Sequence, residues 1–147
     1  MTRRLIMSIL HFRPIKGQVR TILRAILNTP EVSSCRLKVV LTLRLVCEEI
    51  VMNVTSYAYP EGTEGYLDVD IQKVAVSSGH PDNRVVIRFE DGGIPFNPLE
   101  QKKPDITLPW KQRPVGGLGV YLILRMMDDV RYAYVDNRNV LTIEKII

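Results

Sequence analysis

Hydrophobic residues in the first half of the chain recur at helical spacing in two stretches. The first is expected to open at Pro14, which suits the first turn of a helix, and to stop at residues 28–30. The second is expected to be capped by Ser33 and Ser34 and to run until Pro60. The apolar positions are Ile15, Val19, Ile22, Leu23, Ile26 and Leu27 in the first stretch, and Leu37, Val40, Leu41, Val46, Ile50 and Val54 in the second. We therefore predict two helices, preceded by an opening strand over residues 1–10.

Alternation with a period of two predicts strands in the middle and at the end of the chain. Leu67, Val69 and Ile71 alternate with polar residues, and residues 84–91 repeat the pattern with Val85, Ile87 and Phe89 on the apolar side. By the same parity Asp91 points to that apolar side, where a carboxylate needs a partner. Residues 130–135 and 140–147 flank a turn at 136–139 and predict a terminal hairpin.

A proline-rich segment separates these two groups of strands. Five of the nine prolines fall between Pro95 and Pro114. Residues 95–115 show no sustained period, and so long a connection inside a compact domain is more often a functional lid than filler. The glycine run at 116–119 closes the segment and opens a third predicted helix, with Val120, Ile123, Leu124 and Met127 along one side.

Strands joined mainly by hairpins imply a mostly antiparallel sheet, and the amphipathic helices need its apolar face. The expected architecture is an α/β two-layer sandwich, with a mostly antiparallel, mixed sheet covered on one face by helices. A chain of 147 residues is the size of one domain, so we expect residues 1–147 to form a single unit.

Composition narrows the class of protein. With 46% of residues hydrophobic and 24% charged, the chain is typical neither of disorder nor of a membrane protein, and no apolar run reaches the ~20 residues needed to span a bilayer.

Cys35 and Cys47 lie twelve positions apart on what is predicted to be one helix, so they cannot pair. A cytoplasmic location is expected.

The net charge of +4 is unevenly distributed. The first thirty residues hold six basic residues and no acid: Arg3, Arg4, Arg13, Lys16, Arg20 and Arg24. This region is either a docking surface for an acidic protein or simply a solvated face. Nucleic-acid binding has little support, because the overall charge is small and no aromatic residues are interleaved with the basic ones.

Three polar groups are candidates for chemistry. Glu49, Asn53 and Tyr57 are spaced by four, so they would lie along one stripe of the second helix, where an amide oxygen suits a hard cation and a carboxylate can accept a proton. Asp91 is followed by glycines that let the backbone approach a ligand closely. The glycine run 116–119 precedes a helix, whose amino end can bind phosphate. The alternatives are an exposed polar face, a strand-ending turn and tight helix packing.

Taken together, in this order and spacing, the three groups resemble the motifs of the GHKL ATPases, in particular the small bacterial anti-sigma factor/serine-protein kinases. Residues 49–59 match the family's N box, residues 91–98 its first glycine box and residues 116–119 its second. The resemblance implies the histidine kinase-like ATPase, or Bergerat, fold, with a lid over about residues 95–115.

The resemblance also implies roles for individual residues in binding ATP and Mg²⁺. Asn53 would be the protein ligand of Mg²⁺ and Glu49 the general base. Asp91 would accept the adenine amine, and Gly93 would give room beside the base. The phosphates would be cradled by Gly116, Gly117, Leu118 and Gly119, and contacted from the lid by Lys111 and Arg113.

The function that the resemblance implies is ATP-dependent phosphorylation of a serine on an anti-sigma factor antagonist, together with sequestration of a sigma factor by a homodimer. The alternative is a non-catalytic switch of the same fold, in which ATP gates protein binding. Tyr57 stands where the family often has His, and Pro114 and Val115 precede the second glycine box where many kinases have Arg. Both departures concern the transfer step more than nucleotide binding.

Overall fold

The chain folds into an antiparallel sheet with helices packed on one face. The computed structural model describes residues 6–75, 83–100, 123 and 125–147. In this part of the chain the strands are β1 (Ile6–Phe12), β2 (Leu67–Val74), β3 (Arg84–Asp91), β4 (Asp129–Val135) and β5 (Arg138–Ile146). The helices are α1 (Val19–Leu27), α2 (Pro30–Ser33) and α3 (Leu37–Asn53), and α3 continues into a π-helical turn at Val54–Ala58.

The sheet has the strand order β1-β2-β3-β5-β4. Every pairing between the described strands is antiparallel, so the parallel component implied by a mixed sheet is absent from this part of the chain. The two-layer α/β architecture is confirmed. The register places Ile71 opposite Ile87 and Ile87 opposite Ile143. These apolar residues share the face that the helices cover.

The core lies between this face and the amphipathic helices. α1 and α3 bury Ile22, Ile26, Val46 and Ile50 against the sheet, as their helical spacing predicts. The predicted burial of Leu37 and Leu41 was wrong: they are 71% and 49% exposed, because the face of α3 that packs on the sheet passes through Leu43 instead. Ile123 and Met127 also reach the core, in agreement with the predicted third helix, although residues 120–122 and 124 lie outside the described part. No helix in the described ranges is long and apolar enough to cross a membrane.

The predicted helix starts were wrong. α1 begins at Val19 instead of Pro14, since the chain first turns through Gly17, whose φ of +74° is incompatible with a continuing right-handed helix. Ser33 and Ser34 do not cap the long helix. They end the short helix α2, which the sequence reading missed, and α3 has Arg36 at its N-cap position.

The terminal hairpin is confirmed, with a tighter turn than predicted. Only Asp136 and Asn137 stand between β4 and β5, and both have positive φ, 52° and 61°. This is the geometry of a two-residue type I′ hairpin, which Asp and Asn tolerate better than most residues. Asn139 is consequently not a turn residue but part of β5, on the helix-covered face.

The two cysteines are free, as expected. The prediction that one helix carries both was wrong, because Cys35 precedes α3 and its thiol donates to the Glu31 carbonyl at 3.3 Å. Cys47 lies on α3, and burial raises the pKa of its thiol to about 12. A thiol with so high a pKa is a packing residue, not a nucleophile.

Candidate functional site

A cavity opens between α3 and the end of the sheet where β3 ends. Its wall is mostly apolar and includes Ile50, Phe89, Ile123, Val130 and Leu141. The polar side chains on the wall are those of Asn53, Tyr57, Asp91, Tyr132 and Asn139. An apolar cleft with a few convergent polar groups is typical of a ligand site.

Asp91 points to the apolar side of β3, as strand parity predicts, and is 5% exposed on the floor of the cavity. Its Oδ1 accepts two hydrogen bonds, from the Gly93 backbone amide at 2.9 Å and from Asn139 Nδ2 at 3.0 Å. Among the described residues no donor reaches Oδ2. Desolvation by burial raises the pKa of the Asp91 carboxyl, and the two hydrogen bonds partly oppose that shift. The second oxygen is therefore the one that can accept a donor from a ligand.

Asn139 holds Asp91 to the segment that follows it, and sequence analysis did not identify this role. Asn139 Nδ2 also donates to the Ile94 carbonyl at 2.8 Å. Its Oδ1 accepts from the Phe96 amide at 3.0 Å and from the Tyr132 hydroxyl at 2.5 Å. Strand parity could have indicated it. On β5, Asn139 shares a face with Leu141 and Ile143, so its polar side chain lies among core residues.

Gly93 lies against the backbone of the π-helical turn. A Cβ at Gly93 would come within 2.2 Å of the Ala58 carbonyl oxygen. The same oxygen accepts a hydrogen bond of 2.7 Å from the Ile94 amide. Glycine is therefore required here for close packing of two backbone segments, and this is a different requirement from the room beside a base that the resemblance implies.

Tyr59 fixes the turn after β3 from the other side. Its hydroxyl donates to the Tyr66 carbonyl at 2.7 Å and accepts from the Gly92 amide at 2.8 Å. Two neighbouring backbone amides in this turn, those of Gly92 and Gly93, are thus held by side-chain oxygens. The floor of the cavity is thus held by hydrogen bonds within the chain.

Glu49 and Asn53 stand one turn apart near the end of α3, as their spacing predicts. Asn53 is half-buried on the cavity wall, and its side chain makes no hydrogen bond with another described residue. Glu49 is also half-buried but is not among the residues that line the cavity. Burial raises the pKa of the Glu49 carboxyl, and the charge of Glu48 raises it further.

Tyr57 does not continue the α-helical stripe of Glu49 and Asn53, because it belongs to the π-helical turn. It lines the cavity and is 58% exposed. The remaining candidates lie outside the described residues: Lys111, Arg113, Gly116, Gly117, Leu118, Gly119 and the part of the lid beyond residue 100. Ile94, Phe96 and Pro98, at the start of the predicted lid, line the cavity.

Comparisons with known proteins agree with the family resemblance. Residues 12–145 match the family of the histidine kinase-like ATPase domain. The chain is 31% identical over 103 residues to serine-protein kinase RsbW of Bacillus thuringiensis (strain Al Hakam) and of Bacillus cereus (strain 03BB102). It is equally similar to the protein of that name in Bacillus anthracis. Each match covers 67% of this chain and 59% of the relative, so the matched part is less than two thirds of these curated relatives.

Proposed function

Because the chain belongs to the histidine kinase-like ATPase family, we propose that it binds ATP in the cavity and transfers the γ-phosphate to a serine of a protein, an anti-sigma factor antagonist. The observation that carries the proposal is the arrangement of three side chains. Asp91 lies on the cavity floor, Asn53 lies on its wall, and Glu49 stands one turn before Asn53 on the same helix. The similarity to the RsbW serine-protein kinases supports the choice of reaction.

Adenine suits the floor of the cavity. Its exocyclic amine is a donor, and Asp91 Oδ2 is an acceptor that no other described residue occupies. Apolar side chains such as Ile50, Phe89 and Leu141 would bury the faces of the ring. Guanine presents a carbonyl oxygen at the corresponding ring position, and this oxygen would face the carboxylate without a proton between them.

Asn53 fits the role of a magnesium ligand. Its amide oxygen is a hard donor, and the side chain is not engaged by another described residue. The described residues contain no group of three His, Cys, Asp or Glu that could hold a metal. A site in which Asn53 is the single protein ligand suits an ion that takes most of its oxygens from triphosphate and water. When bound, Mg²⁺ would neutralise phosphate charge.

Glu49 would act as the general base. Its carboxylate would take the proton of the substrate serine as the serine oxygen bonds to the γ-phosphorus. The bond from that phosphorus to the β–γ bridging oxygen breaks, and ADP leaves. The raised pKa of Glu49 makes it a better proton acceptor than an exposed glutamate. Lys111, Arg113 and the glycine run 116–119 remain the proposed contacts of the phosphates.

The activity is tested by incubating the protein with labelled ATP, Mg²⁺ and a purified antagonist protein from the same organism. Glu49→Gln should lower phosphoserine formation about 100-fold or more, because general-base catalysis supplies factors of this size. The neighbouring change Glu48→Gln is the matched control and should leave transfer nearly intact. Absence of phosphoserine with the wild type, or undiminished transfer by Glu49→Gln, would contradict the proposal.

The second candidate function is an ATP-gated switch that binds its partner without phosphorylating it. The observation that favours it is the position of Glu49, which is not on the cavity wall among the described residues. A sigma factor and the antagonist are the proposed partners in either case, with a homodimer as the binding form. ATP-dependent partner binding without phosphoserine would select the switch over the kinase.

A further inference from the structure

The outward face of α3 carries a line of exposed apolar side chains. Leu37, Leu41 and Leu45 are 71%, 49% and 58% exposed, and they follow one another at intervals of four residues. Residues at this spacing lie on one face of a helix. The opposite face of α3 is the buried one, with Leu43 and Val46 in the core. We call the three exposed residues the leucine stripe.

Positive charge without an ion pair among the described residues lies beside the leucine stripe on α3. Lys38 and Arg44 flank it on α3, which has no acid before Glu48. From residue 6 to residue 47 the exposed charged side chains of the helical layer and its adjoining loop are all basic: Arg13, Lys16, Arg20, Arg24, Arg36, Lys38 and Arg44. None of these seven forms an ion pair with another described residue.

The single acidic residue between residues 6 and 47 does not offset this positive charge at the surface. Glu31 is 1% exposed, and Ser8 donates a hydrogen bond to its carboxylate at 2.8 Å. The outer face of the sheet is different, because its arginines are paired. Arg88 lies within ion-pair distance of Asp70 and Glu90, and Arg131 pairs with Glu144. The helical layer that exposes the leucines thus also carries seven basic side chains without an ion pair among the described residues.

We propose that the leucine stripe, with Lys38 and Arg44 beside it, is the docking site of an acidic amphipathic helix from a protein partner. The stripe is one side chain wide and about 12 Å long from Leu37 to Leu45, which matches the apolar side of a single helix. Acidic residues flanking the apolar positions of that helix would meet Lys38 and Arg44. Charge of one sign around an apolar strip selects the partner and speeds its approach.

Two other classes of ligand fit the surface less well. An anionic bilayer would bury a wide apolar face with aromatic residues, whereas the exposed residues of neighbouring α1 are Arg20, Thr21 and Arg24. A nucleic acid would use the positive charge but not the leucines. The docking site is separate from the ATP cavity, since the stripe lies toward the amino end of α3 and Asn53 ends the helix.

The test uses the full chain and two fluorescein-labelled helical peptides. One peptide carries leucines at four-residue spacing flanked by glutamates, and the other replaces each glutamate by lysine. Fluorescence anisotropy should show binding of the acidic peptide only, weakening with added salt. The double variant Leu41→Ser/Leu45→Ser should lose affinity for it about tenfold or more. Ile9→Ser, at a residue 66% exposed on the edge strand β1, is the matched control and should bind as the wild type does.

A charge-reversal variant keeps the test independent of the serine substitutions. Lys38→Glu/Arg44→Glu should prefer the lysine peptide, while ATP affinity and melting temperature stay unchanged. Equal binding of both peptides, or unchanged binding by the serine variant, would overturn the proposal. It would also be overturned if neither peptide binds while phosphatidylglycerol vesicles or duplex DNA do. Self-association lost with the leucines, without peptide binding, would assign the stripe to a second copy of the chain instead.

Discussion

The side chains of Asp91 and Asn139 form one unit at the floor of the cavity. Asp91 uses Oδ1 to accept two hydrogen bonds within the protein, and no described donor reaches Oδ2, while Asn139 satisfies both ends of its amide within the site. Strand parity predicted the burial of Asp91. It could have predicted Asn139 as well, had the turn been placed correctly. The sequence around residue 136 offers four turn-forming positions, and which two of them take positive φ depends on the register of β4 against β5.

Replacing Asn139 should weaken both the site and the fold. Asn139→Ala leaves the Ile94 carbonyl and the Phe96 amide without their partner, and it removes one donor from buried Asp91. We expect the free energy of unfolding in urea to fall by about 1–3 kcal/mol, the usual cost of unsatisfied buried polar groups. The exposed change Asn28→Ala is the control and should cost less than half as much. Equal losses in the two variants would refute the role given to Asn139.

Asp91 should reduce stability at neutral pH. Its pKa is raised by burial, so the folded state holds the proton more tightly than the unfolded chain does. The protonated Asp91 carboxyl therefore favours the folded state. This stabilisation is complete below the pKa of Asp91 in the unfolded chain and is lost as the pH rises through its pKa in the folded chain. Asp91→Asn should therefore unfold at higher urea than the wild type at pH 7, and the difference should shrink as the pH falls toward 3.8, the ordinary value. A difference that grows on acidification would reverse the sign and contradict this account.

At the scale of elements, the π-helical turn after α3 and the turn after β3 are packed backbone to backbone. The contact between Gly93 and the Ala58 carbonyl brings the end of α3, with Asn53, beside the end of β3, with Asp91. A wider helical turn is not visible in hydrophobic periodicity. The sequence therefore predicts both elements but not the contact that joins them.

A side chain at Gly93 should separate these elements. Gly93→Ala places a Cβ 2.2 Å from the Ala58 carbonyl oxygen, so backbone must move, at an expected cost of about 1–3 kcal/mol in stability together with loss of ATP binding. Gly92→Ala is a close control, because its Cβ would meet the Tyr66 ring at 2.9 Å, and a side chain can shift. Urea unfolding of both variants measures the difference, and a Gly92 variant as damaged as the Gly93 variant would argue against a special role for the Ala58 contact.

At the scale of the whole molecule, the two faces of the chain differ in how their charges are used. The outer face of the sheet pairs its arginines with acids, and one of these acids, Glu144, is 7% exposed between Arg84 and Arg131. Between residues 13 and 44, the seven exposed basic residues of the helical layer and its adjoining loop form no ion pair with another described residue. Composition showed that the excess basic charge lies in the first thirty residues. It did not show that Leu37, Leu41 and Leu45 are exposed in the same layer, because their exposure depends on which face of α3 the sheet buries.

The architecture was largely predictable, because periodicity marks amphipathic elements directly. Strand β3 has the predicted bounds, 84–91, and the hairpin order led to the antiparallel sheet. The starts of α1 and α3 were not predictable in this way. Pro14 and Ser33 are good capping candidates locally, but the positive φ of Gly17 and the extra helix α2 depend on how the chain packs against the sheet.

The central claim is that the cavity binds ATP through Asp91. Isothermal titration of the wild-type chain with ATP and Mg²⁺ tests it most directly. We predict one ATP per chain, much weaker binding of GTP, and a loss of affinity of about tenfold or more in Asp91→Asn, whose amide nitrogen cannot accept the adenine amine. The urea unfolding of Asp91→Asn shows independently that the variant is folded. Undiminished ATP binding by this variant, or GTP binding as tight as ATP binding, would contradict the account.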